Sequence, residues 1–169
     1  MKQSLIAIAA WLFLGGGLAN GQDLVEPPPP TEIGGYSVQC RDVRGHNVSM
    51  MKVKNLGDLA SAFVINRVPV IAMDTHMMDR LPDKLLIFFY EHECAHHALG
   101  HWYNRPDDAE NQADCWAVKR ARDLGLLTRW EIVGFSPFLA QSRGSPWGHL
   151  PGPQRIQHML ACFDQQSGG

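Results

Sequence analysis

With 169 residues, the chain is long enough for one domain with its own hydrophobic core and too short for a second sizeable one. Apolar residues account for 45% of the sequence and charged residues for 19%, which excludes an intrinsically disordered chain. The net charge of -2, without a cluster of lysine or arginine, argues against nucleic acid or an anionic membrane as a partner.

Residues 1–21 have the order of a secretory signal peptide. Lys2 is the only charge before Asp23, an apolar run of about fourteen residues follows it, and small residues come next. The run is shorter than the roughly 20 residues of a membrane-spanning helix. We therefore predict export to the periplasm or the medium, with no membrane span after cleavage. An uncleaved N-terminal membrane anchor is the alternative.

Export changes the interpretation of the four cysteines. In an oxidising compartment an even number of cysteines predicts disulfides, and four cysteines allow three pairings. None of them has C-x-x-C spacing, which argues against a cysteine-ligated zinc site. The four are Cys40, Cys94, Cys115 and Cys162.

The folded part is expected to begin after a linker. Residues 22–35 contain four consecutive prolines and a glycine pair, which predict a linker, and residues 36–169 are then one domain. Within it, "YSVQCRDV" predicts a strand and "LGDLASAFV" a short helix. "RVPVIAMD" predicts another strand, and Pro69 indicates an edge position because proline cannot donate to a strand ladder.

The second half of the chain predicts helices from their start and stop signals. A long breaker-free segment runs between a proline and a glycine, and Thr128 with Glu131 forms a capping box that opens a third helix. The segment "FSPFLAQSRGSPWGHLPGP" is typical of a loop. The predicted helices cover residues 82–100, residues 107–124, a segment from 128 and a segment from 153.

The first of these helices carries "EHECAHHALGH". His92 and His96 lie one turn apart on one face, and Glu93 follows the first of them. In this HExxH arrangement two imidazoles reach one zinc ion and the carboxylate lies beside the water that the metal activates. The alternative is a set of hydrogen-bonded core histidines. His97 and His101 form a second pair without a glutamate, and we interpret them as structural.

A catalytic zinc site needs a third protein ligand. The following helix offers Glu110 as that ligand and, one turn later on the same face, Asp114 as an acceptor for the N–H of a ligating histidine. The alternatives are a capping box of Asp107 with Glu110 and a solvated position for Asp114. Donors to an oxyanion are also required. His149 and Arg155 are candidates, with a surface histidine and a solvated arginine as alternatives.

Together these motifs resemble the gluzincin metallopeptidases, in particular the HtpX and CAAX-prenyl-endopeptidase type and the small soluble minigluzincins. The resemblance covers roughly residues 68–160. It implies zinc held by His92, His96 and Glu110, with Glu93 as general base and acid. The resemblance further implies that Asp114 orients a histidine ligand and that His149 and Arg155 stabilise the oxyanion.

The resemblance also implies that the "VPVIAMD" strand lines a cleft, where an extended polypeptide substrate pairs with it. We therefore predict an α+β, zincin-like domain in which an HExxH helix and a glutamate-bearing helix pack against a short sheet. The predicted function is that of an exported zinc metalloendopeptidase. The alternative is a zinc-stabilised module that binds peptides without cutting them. Disulfides Cys94–Cys115 and Cys40–Cys162 are a further hypothesis, since the first would clamp the two ligand-bearing helices.

Overall fold

Short apolar segments in the first half of the chain form strands. The structure is a computed structural model that describes residues 31–145 and 148–165, so the predicted signal peptide lies outside the described residues. β1 begins at Thr31, inside the segment assigned to a linker. The strands are β1 Thr31–Ile33, β2 Tyr36–Val38, β3 Cys40–Arg41, β4 Asn47–Val53, β5 Ala60–Ile65 and β6 Val68–Asp74.

The main sheet is mixed and has the strand order β3-β4-β6-β5, while β1 and β2 form a separate antiparallel hairpin. β6 is parallel to β4 and antiparallel to β5, so β5 lies at an edge and β6 is internal. The prediction of β6 as an edge strand is therefore wrong. Pro69 is tolerated because the ladder between β4 and β6 starts one residue later, at Val70.

The segment predicted as a short helix is also a strand. Residues 60–65 form β5 and pair along their whole length with β6. Pairing with a buried neighbouring strand outweighs the weak local preference of this alanine-containing stretch. The consequence for the site is that β5 presents the open edge of the sheet.

The predicted helices are present, and the segment predicted as a loop contains one short additional helix. The capping box of Thr128 and Glu131 is confirmed at the start of α4. Among the described residues, no helix has the length and apolar character needed to cross a bilayer. The helices are α1 Thr75–Met78, α2 Asp83–Ala98, α3 Ala109–Asp123, α4 Arg129–Gly134, α5 Ser136–Leu139 and α6 Gly152–Asp164.

Helix α2 is the central element of this small α+β domain. Its first half is apolar nearly all round, and Ile87 and Phe88 are completely buried. It contacts β3, β5 and β6 as well as α3, and α3 in turn contacts α6. Burial of apolar side chains on several faces fixes the orientation of α2, and with it the orientation of the polar residues in its second half.

Two disulfides fasten these layers together. They join Cys40 to Cys94 and Cys115 to Cys162. The predicted pairing is therefore wrong, because Cys94 faces β3 and Cys115 faces α6 instead of each other. The bridges close loops with sequence separations of 54 and 47 residues. A chain-entropy estimate assigns each of them about 4 kcal/mol of stabilisation through the unfolded state.

The start of α6 depends on a glycine at a close approach to α5. A Cβ placed on Gly152 would lie 1.7 Å from the carbonyl oxygen of Leu139. We expect Gly152→Ala to lower the free energy of unfolding by about 1–3 kcal/mol, because this overlap forces backbone to move. The measurement is thermal or urea denaturation with the disulfides intact.

Gly134→Ala is the matched control for that substitution. Gly134 is also helical, and a Cβ there would have no neighbour within 4 Å. Alanine has the higher helix propensity, so the stability of this variant should be unchanged or slightly raised. Equal stability of the two alanine variants would contradict the close packing of α6 on α5.

Candidate metal centre

Helices α2 and α3 bring three potential metal ligands together. His92 Nε2 lies 3.0 Å from Glu110 Oε2 and 3.3 Å from His96 Nε2, and His96 Nε2 lies 3.5 Å from Glu110 Oε2. All three residues are buried. The two histidines occupy successive turns of α2, and the glutamate comes from the first turn of α3.

The spacing of these donor atoms suits a small tetrahedral cation. Ligand atoms at 2.0–2.1 Å from zinc in tetrahedral geometry lie about 3.3 Å from one another. The three observed separations lie close to that value. Three such groups are costly to bury without a partner, and a cation compensates for that cost. His92, His96 and Glu110 could therefore hold a metal ion.

A buried carboxylate connects this group to α6. Asp114 Oδ1 accepts a hydrogen bond from His92 Nδ1 at 2.8 Å. The same carboxylate accepts two bonds from Arg155, both at 2.7 Å. Burial opposes ionisation of Asp114, but the hydrogen bond from His92 and the Arg155 charge outweigh it and hold the pKa of the carboxyl well below its usual range. With Nδ1 bonded to Asp114, the ring of His92 presents Nε2 to Glu110 and His96, which together with His92 form the donor group.

Hydrogen bonds within this group also shift the pKa values of two of the candidate ligands. Burial lowers the pKa of His92, but hydrogen bonds to Asp114 and Glu110 outweigh that effect and raise it to about 9. Burial opposes ionisation of Glu110, whereas hydrogen bonds from His149 and His92 hold the pKa of its carboxyl far below the usual range. Both shifts favour the charged forms, so a proton and a metal ion would compete for the same nitrogen of His92.

A cavity of about 510 Å³ opens in front of the donor group. Glu93 lines it, and Oε2 of Glu93 accepts a hydrogen bond from the backbone N–H of Ala62 at 2.7 Å. The opposite wall is formed by residues 60–63 of β5, so the strand at the cleft is β5 and not the predicted "VPVIAMD" strand. Glu93 thus borders the same cavity as the three candidate ligands and is bonded to the edge of the sheet.

His149 and Arg155 have different surroundings. His149 lines the cavity, with Nε2 at 2.6 Å from Glu110 Oε2 and Nδ1 at 2.9 Å from the hydroxyl of Ser145. Arg155 does not line the cavity, since its guanidinium binds Asp114 and is nearly buried. The structure shows Arg155 supporting Asp114, and its contact with a substrate oxyanion stays a prediction.

Two further residues of the cavity were not predicted. His101, interpreted as structural, lines the cavity and lies with Nδ1 at 2.9 Å from Nδ1 of His96. Arg105 also lines it and forms an ion pair with Oε1 of Glu110. The i, i+5 spacing of His96 and His101 carries no helical signal, and nothing in the loop sequence marks Arg105. His97 has the expected structural role, with Nε2 bonded to the Val70 carbonyl at 3.1 Å.

The raised pKa of His92 predicts a pH-dependent metal affinity. Coordination requires a neutral imidazole, whereas a pKa of about 9 favours a proton on His92 at neutral pH. We expect the apparent zinc affinity to rise at least tenfold per pH unit between pH 7 and 8, with release of at least one proton per zinc at pH 7. Chelator competition and calorimetry in two buffers of different ionisation enthalpy measure both quantities. A constant affinity over this range would contradict the assignment.

Comparison with known proteins does not identify the chain. No family model, no curated protein and no solved structure matches it. The gluzincin resemblance therefore rests on the motifs alone. The function of the chain has to be inferred from the chemistry of the metal centre and the cavity in front of it.

Proposed function

We propose that the chain is an exported, gluzincin-like zinc metallopeptidase that hydrolyses extended polypeptides. One observation carries the proposal: three metal donors, an additional carboxylate and an open strand edge border the same cavity. The donor set of two histidines and one glutamate is typical of catalytic zinc, which keeps one position for water or substrate. Two disulfides accord with the oxidising location that the proposal includes.

The proposed chemistry divides the work among these groups. When bound, zinc would lower the pKa of water to about 7 and polarise the scissile carbonyl. Glu93 takes the proton from the attacking water and delivers it to the leaving amine. His149, whose Nε2 faces Glu110, donates a hydrogen bond to the oxygen of the tetrahedral intermediate. Asp114 and Arg155 keep His92 oriented during these steps.

Substrate orientation follows from the hydrogen-bond pattern of β5. The carbonyl of Leu59 accepts from the N–H of Asp74 on the β6 side. Because successive residues of a strand alternate in direction, the N–H and C=O groups of Ala60, Ala62 and Val64 face away from β6. An extended peptide can add to that edge as an antiparallel strand. Its N-terminal part would then lie near Val64 and its C-terminal part near Ala60.

Glu93→Gln is the direct test of the proposed reaction. The amide cannot accept the proton from water, so cleavage of an unfolded polypeptide should fall at least about a thousandfold while zinc binding stays stoichiometric. Glu32→Gln, at an exposed position of β1, is the control and should cleave like the unchanged protein. Incubation with and without a chelator completes the experiment. If Glu93→Gln cleaves as fast as the parent, the proposed mechanism is wrong.

A second candidate function is a zinc-stabilised module that binds extended peptides without cutting them. The position of His149 favours it, because its Nε2 lies 2.6 Å from Glu110 Oε2 and 3.4 Å from His92 Nε2. A fourth protein ligand would close the zinc site, as in structural sites.

His149→Ala separates the two functions. In a peptidase it should lower kcat by about a hundredfold or more and leave zinc affinity nearly unchanged, because a hydrogen-bond donor to the oxyanion is lost. In a binding module it should weaken zinc more than about tenfold, because a ligand is lost. Turnover of an unfolded polypeptide and chelator competition are measured on the same preparation. Unchanged values of both would exclude either role for His149.

A further inference from the structure

We infer that His101 is a positioning residue that, with Gln112 and Asp108, fixes the tautomer and orientation of His96. The inference rests on the metal centre of the proposed function. A ligating histidine needs a partner on its second nitrogen, which sets the tautomer and holds the ring. Asp114 fulfils this role for His92, whereas no carboxylate contacts Nδ1 of His96 among the described residues. The atom at that place is Nδ1 of His101, at 2.9 Å.

The end of α2 places His101 there. The N–H of Gly100 bonds to the carbonyl of His97, and the N–H of His101 bonds to the carbonyl of His96. These two bonds, with Gly100 at a φ of 72°, form a Schellman motif. The motif turns the chain back over the last helical turn, so His101 lies beside His96 although it is no longer helical. Its ring is buried against the metal centre.

The hydrogen bonds beyond His101 determine which nitrogens carry protons. Gln112 donates from Nε2 to Asp108 Oδ1 at 2.9 Å, so its Oε1 is free to accept. His101 Nε2 lies 3.4 Å from that oxygen, and because an amide oxygen only accepts, a neutral His101 ring carries its proton on Nε2. Its Nδ1 is then an acceptor, and Nδ1 of His96 must be the donor.

That proton arrangement leaves Nε2 of His96 unprotonated. This nitrogen is the one that faces His92 and Glu110 in the donor group. The relay from Asp108 through Gln112 and His101 thus prepares His96 for coordination, as Asp114 prepares His92. Asp114 lies on α3 and Asp108 is the residue directly before this helix, and α3 also supplies the ligand Glu110.

Histidine tautomers in the zinc-loaded protein give a direct test. Long-range nitrogen–proton NMR spectra of a sample with labelled histidines distinguish Nδ1–H from Nε2–H rings. We expect His96 to be protonated on Nδ1 and bound through Nε2, and His101 to be protonated on Nε2. An Nδ1–H tautomer of His101 would overturn the inference. Failure of the unchanged protein to bind zinc would instead refute the metal centre.

Zinc affinity provides a second test with matched variants. His101→Phe removes the acceptor and should weaken zinc by about 10–100-fold in chelator competition, as expected for loss of a ligand's hydrogen-bond partner. His97→Phe is the same chemical change on a ring that points to Val70. It should change zinc affinity less than about threefold. Equal affinities of the two phenylalanine variants would overturn the inference.

Substitution of Gln112 keeps the test valid if His101→Phe does not fold. Gln112 is exposed on α3, so Gln112→Leu should preserve the fold and weaken zinc in the same direction as His101→Phe, by a smaller factor. Gln112→Glu retains an acceptor for His101 Nε2 and should keep the affinity of the unchanged protein. If Gln112 has no such role, the leucine and glutamate variants will bind zinc with equal affinity, and that result would overturn the inference.

Discussion

The buried carboxylate of Asp114 is the interaction on which the arrangement of the three main helices depends. It belongs to α3, accepts from His92 on α2 and accepts twice from Arg155 on α6. A buried carboxylate is tolerated only when its hydrogen-bonding capacity is filled, and here both partners come from other helices. Loss of either partner would leave a charge in the interior. The same carboxylate therefore orients His92 at the candidate metal centre and holds the three helices together.

The local part of this arrangement could be predicted from the sequence. The helical spacing of His92 and His96 places them on one face, and the i, i+4 spacing of Glu110 and Asp114 does the same on α3. Once its apolar face is packed, a helix cannot rotate about its axis, so these spacings determine which side chains face the site. The capping box at Thr128 is local in the same sense.

The predictions that were wrong concern features that contacts between distant segments determine. Pro69 indicated an edge strand, but the end of the neighbouring ladder is what makes proline acceptable there. The cysteine pairing follows from which helix faces β3 and which faces α6, and sequence spacing does not encode that. In both cases the missing information was tertiary. The position of His101 beside His96 was missed for a different reason, because a local Schellman turn and not helical periodicity brings it there.

Under the proposed function, one hydrogen bond at the sheet edge links binding of an extended chain at β5 to the availability of the Glu93 carboxylate. In the described state, the amide hydrogen of Ala62 is held by Glu93. A carbonyl of an incoming strand would need that same hydrogen, since a backbone amide has a single proton to offer. The two acceptors compete for this hydrogen, so a docked chain would weaken the hold of the amide on the Glu93 carboxylate. Under the proposed function, the Glu93 carboxylate is thus held by the backbone of β5 until a substrate docks and releases it.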